Sequence, residues 1–206
     1  MIVNVFYNEK GIGDVLIVQM NGKKAEKTIT ESNNNVTEIK NADTNEVIGY
    51  NLFKVKEKTA LNVTDKVEVT DETIAIINEQ LSAAGFETLK DVDTSPKFVV
   101  GYVKSKAEHS NSDHLSVCQV DLGTHVEQIV CGAPNVDEGQ YVVVAKVGAV
   151  MPSGLIIEPS ALRGEKSNGM ICAARELAIP DAPTEKGIMV LEGSDYKAGQ
   201  AYAILF

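Results

Sequence analysis

Both arginines of the chain lie in one short stretch, where the side chains best suited to chemistry are concentrated. Arg163, Lys166 and Arg175 fall within thirteen residues of a 206-residue chain that carries 19 basic and 29 acidic side chains, a formal net charge of −10. Arginine is suited to bidentate phosphate contacts and to stacking. Because so acidic a chain repels phosphate at long range, a nucleic-acid site must be a local concentration of cations, and residues 163–175 are the candidate.

Other reactive side chains lack the partners that their chemistry needs. His109 and His114 have the spacing of half a zinc site, but the chain has no Cys-x-x-Cys pair to complete it. Ser167 does not stand in a Gly-x-Ser-x-Gly elbow, and a phosphate-binding Gly-x-x-x-x-Gly-Lys-Ser/Thr loop is missing. The three cysteines fall in or near apolar segments, so we expect buried, reduced thiols. We therefore predict no catalytic residue, no metal and no cofactor: the chain is not an enzyme.

The sequence indicates a folded protein that neither spans a membrane nor is secreted. Hydrophobic residues make up 44% of the chain, which is enough for packed cores. No segment approaches the roughly 18 apolar residues of a membrane span, and the N-terminus lacks the basic stretch of a secretion signal. We expect a cytoplasmic protein.

Two domains are predicted, 1–94 and 95–206. All six prolines lie from Pro96 onward, and eleven of the 16 glycines lie from Gly101 onward. The stretch that ends at Pro96 is polar, as linkers are, and proline favours extended backbone in the residue before it.

The first domain is predicted to be an antiparallel sheet followed by one helix. Strands are predicted at 2–7, 14–20, 28–30, 36–40 and 47–55, with a turn at 8–13. A helix follows, with Thr70 as its N-cap and Gly85 just past its end, and its apolar face is expected to pack on the sheet. The sequence leaves the role of this first domain open.

The second domain is rich in strands. Runs at 98–104, 115–122, 126–131, 141–146 and 188–191 are separated by glycine-containing turns, one of them Arg163-Gly164, and indicate a small Greek-key barrel or sandwich. A short helix is predicted from Met170 to about Leu177, whose free amides would favour an anion. The fold class is thus mainly β, α+β overall.

Ordered motifs in the second domain carry a family resemblance. Phe98-Val-Val-Gly-Tyr-Val, His109-Ser-Asn-Ser-Asp-His-Leu, Gly132-Ala-Pro-Asn and Leu162-Arg-Gly-Glu-Lys-Ser-Asn-Gly-Met-Ile-Cys occur in sequence. Together they resemble the tRNA-binding, EMAP-II-like domain of the bacterial phenylalanyl-tRNA synthetase beta subunit. The whole architecture is similar to the YtpR family of Gram-positive bacteria. The resemblance implies an OB-fold β-barrel over 95–206.

The resemblance also implies which residues would bind RNA. His114 and Arg175 occupy positions where many relatives have lysine, and the segment that begins at Arg163 matches a loop on the RNA-facing side. The predicted RNA-binding residues are Arg163, Lys166, Ser167, Asn168, Arg175, Lys146 and His114. Several matching residues have an alternative role in the fold: Asp113 and Asn135 as turn formers, and Ser167 and Asn168 as caps of the short helix.

Two functions from different classes follow. The first is a non-catalytic protein that binds tRNA or another structured RNA. The alternative is a protein-binding, chaperone-like module that uses the same barrel, which the net charge of −10 would suit. The sequence leaves the oligomeric state and any protein partner open.

Overall fold

The computed structural model describes residues 1–59, 67–193 and 195–204. The chain divides into two units, Met1–Ser95 and Pro96–Phe206. Residues 205–206, the end of the predicted second domain, lie outside the described residues. Across the described ranges, no helix is long and apolar enough to span a membrane.

The first unit is a five-stranded antiparallel sheet with the strand order β1-β2-β5-β4-β3, which confirms the predicted N-terminal sheet. Its strands are β1 Val3–Tyr7, β2 Val15–Met20, β3 Thr28–Asn33, β4 Val36–Asn41 and β5 Val47–Phe53. Its helices are α1 Glu9–Ile12, α2 Val55–Lys58 and α3 Asp71–Ala83. The segment predicted as a plain turn at 8–13 therefore contains one helical turn, α1.

Helix α3 has the predicted caps. The Thr70 hydroxyl accepts a hydrogen bond from the Thr73 N–H (3.1 Å), and Gly85 follows the helix at a φ of +79°. Ile77 and Leu81 are fully buried and belong to the core cluster that β1, β2 and β5 also line. Local capping and one apolar stripe thus suffice to place this helix.

The second unit is also antiparallel. Its strands are β6 Phe98–His109, β7 Ser112–Asp121, β8 Val126–Cys131, β9 Tyr141–Ala145, β10 Ser160–Leu162, β11 Glu165–Ser167, β12 Met170–Ile171 and β13 Val190–Leu191. The main sheet has the order β12-β9-β6-β7-β8, with β13 also paired to β9, while β10 and β11 form a separate hairpin. The mainly β class is confirmed.

Strand β9 is buried on both faces, which explains why its sequence is a continuous apolar run. Val142 and Val144 belong to one core cluster, together with Val120 of β7. Val143 and Ala145 belong to a second cluster, formed with Val100 of β6 and with residues that follow β9 in the chain. The sheet is thereby covered on both sides along its centre.

The predicted helix from Met170 to Leu177 is wrong. Met170 pairs with Ala145 and Ile171 with Val144, so the segment begins as strand β12 and continues into turns. The backbone N–H and C=O groups at the edge of β9 need hydrogen-bond partners. A short apolar run can be helix or strand by its periodicity alone, so here the pairing with β9 decides. Because the segment does not begin as a helix, the anion site predicted at the free amides of its start is wrong as well.

Candidate nucleic-acid interface

Two loop regions of the second unit meet through hydrogen bonds. We call residues 109–112 the β6–β7 turn and residues 160–167 the β10–β11 hairpin. His109 Nε2 lies 2.9 Å from the Leu162 carbonyl oxygen. Arg163 Nη1 donates to the Asn111 carbonyl oxygen (3.1 Å), and Asn111 Nδ2 donates to the Arg163 carbonyl oxygen (3.4 Å). The turn and the tip of the hairpin therefore form one continuous surface.

The hairpin tip places Arg163 in solvent. Arg163 and Gly164 have φ values of +48° and +99°, so both central residues of this two-residue turn are left-handed, as tight hairpins require. Leu162 and Glu165 pair across the turn. The Arg163 side chain is exposed, and its one hydrogen bond to the described part of the chain, to the Asn111 carbonyl oxygen, leaves most of its five N–H donors available.

The base of the hairpin is bonded to β8. The Val130 N–H donates to Ser167 Oγ (3.0 Å), and Gln128 Nε2 donates to the Lys166 carbonyl oxygen (2.9 Å). Ser167 is only 1% exposed, and its hydroxyl also donates to the Gly169 carbonyl oxygen. Ser167 therefore holds the fold together and offers nothing to a ligand, whereas the Lys166 side chain is exposed.

Carboxylates lie among these cations. Asn168 Nδ2 donates to Glu127 Oε1 (2.9 Å), and Glu127 Oε2 lies 3.3 Å from His125 Nε2. Glu165 follows the hairpin turn and lies 3.4 Å from Gln128 Nε2. The negative charges reduce the local attraction for phosphate, so only a few contacts from the exposed cations are expected.

The remaining predicted residues, His114, Lys146 and Arg175, lie on other parts of the second unit. His114 is exposed on β7, just after the β6–β7 turn. Lys146 follows Ala145, which pairs with Met170, so it lies beside Gly169 and the end of the hairpin. Arg175 follows β12 by four residues, lies in a turn and is exposed. The structure places Arg163, Lys166, Ser167 and Asn168 on or next to the hairpin, with His114 just after the β6–β7 turn. The Lys146 N–H donates to the Lys97 carbonyl oxygen just before the start of β6, twelve residues from His109, and Arg175 lies beyond β12.

Residues that sequence reasoning left without a role hold this surface in place. His109 and Asn111 matched the family motif, but nothing in their spacing pointed to the hairpin 53 residues later. Asn135 also serves the fold, because its side-chain amide exchanges two hydrogen bonds with the backbone of Ile188 (3.0 and 2.8 Å). Arg163-Gly164 between two short runs was the one local signal for the hairpin.

The three thiols take no part in the surface. All are free and buried, as expected from the sequence. Burial raises the pKa of the Cys118 thiol to about 11 and that of Cys172 to about 12. Thiols with such pKa values carry almost no thiolate at neutral pH and are poor nucleophiles.

Comparisons with known proteins agree with the motifs. A family model described as "Putative tRNA binding domain" matches residues 98–201, and one described as a domain of unknown function (DUF4479) matches residues 23–93. The "Putative tRNA-binding protein YtpR" of Bacillus subtilis is 50% identical over 200 residues, covering 97% of this chain and 99% of that protein.

Partial relatives match the second unit. The phenylalanine–tRNA ligase beta subunit of Staphylococcus epidermidis is 48% identical over 120 residues, 56% of this chain but only 15% of that protein. The solved structure of a MetRS related protein from Pyrococcus horikoshii is 20% identical, covers 52% of this chain and 88% of its own, and has a TM-score of 0.39, too low to carry an argument. The family matches confirm the resemblance inferred from the motifs: the chain belongs to the tRNA-binding-domain family and is similar over nearly its whole length to the Bacillus subtilis protein.

Proposed function

We propose that the chain is a non-catalytic cytoplasmic protein that binds tRNA or tRNA-like structured RNA. The surface is formed by the β6–β7 turn, the β10–β11 hairpin and the neighbouring faces of β7 and β8. The observation that carries the proposal is the direct bonding of the hairpin that bears Arg163 and Lys166 to the β6–β7 turn. In a chain of net charge −10, this surface joins an exposed arginine and lysine on one element.

The strand order supports an OB barrel as the scaffold. Counting β6, β7, β8, β9 and β12 as strands one to five, the spatial order is 3-2-1-4-5. The Asn168 N–H, two residues before β12, donates to the Gln128 carbonyl oxygen of β8 (3.0 Å), so the fifth strand's approach meets the third strand. OB folds bind oligonucleotides on strands two and three and on the loops 1–2 and 4–5. The β6–β7 turn is loop 1–2, and the hairpin belongs to loop 4–5.

Phosphate and shape recognition dominate in this proposal. The aromatic rings of Tyr102, Tyr141 and Tyr196 cluster with one another, with centroids 5.1 and 6.4 Å apart, toward the β9 side of β6 rather than at the hairpin. Base stacking therefore contributes little at the proposed surface. Arg163, Lys166 and His114 would contact the RNA backbone, with Lys146 at the margin of the surface, which suits folded RNA rather than splayed bases.

Lys166→Ala is the cleanest test, because the Arg163 side chain bonds to Asn111 and helps to hold the hairpin tip, whereas the Lys166 side chain is exposed and forms no such bond within the described residues. Binding of bulk tRNA is measured by filter binding at several salt concentrations. Loss of one phosphate contact should weaken binding to all tRNAs alike and flatten the plot of log affinity against log salt by about one.

Lys197→Ala is the matched control. Lys197 is exposed and lies close in sequence to Gly199, whose N–H donates to the carbonyl oxygen of Val100. Val100 is nine residues from His109 on β6, roughly 30 Å along an extended strand. Equal effects of the two substitutions would contradict the proposed surface. A parent chain that binds no tRNA even at low salt would refute RNA binding and favour the protein-binding alternative.

Arg175→Ala is an independent probe of the extent of the surface. Because Arg175 lies in the turn after β12 and not on the hairpin, we expect its replacement to leave the salt dependence nearly unchanged. A flattening as large as that of Lys166→Ala would extend the surface past β12.

A further inference from the structure

Hydrophobic packing does not hold the β10–β11 hairpin in place. All three residues of β10 are exposed, and Leu162 at the tip is 40% exposed. In β11 only Ser167 is buried, and the two hydrophobic clusters of this unit include no residue of the hairpin. Segments with few buried apolar contacts open at low free-energy cost. The position of the hairpin must therefore depend on its hydrogen bonds.

Those bonds fall at the two ends of the hairpin. The base is bonded to β8 through Ser167 and the Lys166 carbonyl. The tip is held by the bonds to His109 and Asn111 described above. Of the side chains that hold the tip, only the His109 imidazole is buried, at 5% exposure.

The hydrogen bonds of His109 determine where its proton lies. Its Nδ1 accepts from the Asn111 N–H (3.0 Å), so Nδ1 carries no proton. The neutral ring then carries its proton on Nε2, which donates to the Leu162 carbonyl oxygen (2.9 Å). One buried ring thus shapes the β6–β7 turn with one nitrogen and holds the hairpin tip with the other.

We propose that His109 is a positioning residue for RNA binding, which rests on the function proposed above. It does not contact RNA. Its Nε2–H···O bond to Leu162 holds the hairpin tip against the β6–β7 turn, so that Arg163 and Lys166 meet neighbouring phosphates together. Without this bond the tip moves away, and Arg163 loses its fixed position relative to Lys166, whose backbone stays bonded to β8.

Two substitutions separate the two bonds of the ring. In His109→Gln the side-chain amide nitrogen can take the place of Nε2 and donate to the Leu162 oxygen. In His109→Asn the carbonyl oxygen can take the place of Nδ1 and accept from the Asn111 N–H, but the shorter side chain does not reach Leu162. Both variants replace a buried ring by an amide, so losses of packing are similar, and circular dichroism checks that each folds.

The RNA measurement is the salt dependence of bulk tRNA binding by the full chain. His109→Asn should flatten the slope by about one, because the contact of Arg163 is lost, while His109→Gln should stay close to the parent. Equal slopes for His109→Asn and the parent, or equal losses in both variants, would overturn the proposal.

Hydrogen exchange without RNA tests the hairpin directly. His109→Asn should speed exchange of the amides of residues 160–167 and leave β9 and β12 unchanged, whereas His109→Gln should not. Faster exchange throughout the second unit would assign His109 a general structural role and overturn the proposal. A parent that binds no tRNA would refute the proposed function and the RNA part of this inference, while unchanged hairpin exchange in His109→Asn would refute the positioning itself.

Discussion

Gly101 in the middle of β6 provides a quantitative test of the core of the second unit. A Cβ atom at this position would lie 2.6 Å from Val120 Cγ1 and 2.6 Å from Val144 Cγ2. Both valines are fully buried, so neither side chain can swing into solvent. Overpacking of this kind costs about 1–3 kcal/mol, offset in part by about 0.5–1 kcal/mol because alanine reduces the entropy of the unfolded chain. We expect Gly101→Ala to destabilise the unit by about 1–2 kcal/mol.

Compensating substitutions distinguish a steric clash from other effects. Val144→Ala alone should cost about 2 kcal/mol through the cavity it leaves. Combined with Gly101→Ala, it removes one of the two clashing methyl groups, so the double variant should lose about 1 kcal/mol less than the sum of the single losses. Val143→Ala is the matched control: Val143 belongs to the cluster on the other face of β9, so its loss should simply add to that of Gly101→Ala.

Native-state hydrogen exchange of β6 and β9 amides in the full chain is the assay, because a chain of two units need not unfold in one step. Exchange reports the free energy of opening of this unit alone. A Gly101→Ala chain as stable as the parent would refute the packing argument. So would equal coupling with Val143→Ala and Val144→Ala.

Further predictions address the thiols, the helix cap and the independence of the second unit. The cysteines should react with a thiol reagent at pH 8 only after urea unfolding, because burial raises their pKa, that of Cys172 to about 12; rapid labelling of the native chain would contradict their burial. As the pH rises above about 8.5, unfolded thiols ionise while folded ones keep their protons, so urea melts should show the second unit less stable at pH 10 than at pH 8. Thr70→Ala should destabilise α3 by about 1 kcal/mol through loss of its N-cap, seen as faster exchange of α3 amides, while Thr70→Ser should not. A 95–206 fragment should give a cooperative thermal melt; an unfolded fragment would count against independent folding. The fragment should also bind tRNA more tightly than the full chain, because residues 1–94 carry ten lysines against sixteen acids and repel phosphate. Unchanged affinity would count against this charge shielding.

Local patterns were sufficient for much of the fold. Short runs bounded by turn residues placed the five strands of the first unit, and Thr70 and Gly85 marked the ends of α3, because turn and cap signals act between residues close in sequence. Ordered motifs such as Gly132-Ala-Pro-Asn were enough to identify the family before any geometry was known, and the turn at Arg163-Gly164 could be read from its residue types.

The arrangement of the candidate site was decided by contacts between residues far apart in the chain. The segment from Met170 is a strand because β9, some 25 residues earlier, offers an open edge for its backbone. The Ser167 hydroxyl accepts from a β8 amide, and Arg175 lies in the turn beyond β12 rather than on the hairpin. His109 holds Leu162 across 53 residues of sequence. Composition and spacing carry information only about residues that are close in sequence. The hydrogen bonds named here form only when the sheet brings distant loops together. Only the tertiary structure therefore determines which cations share a surface.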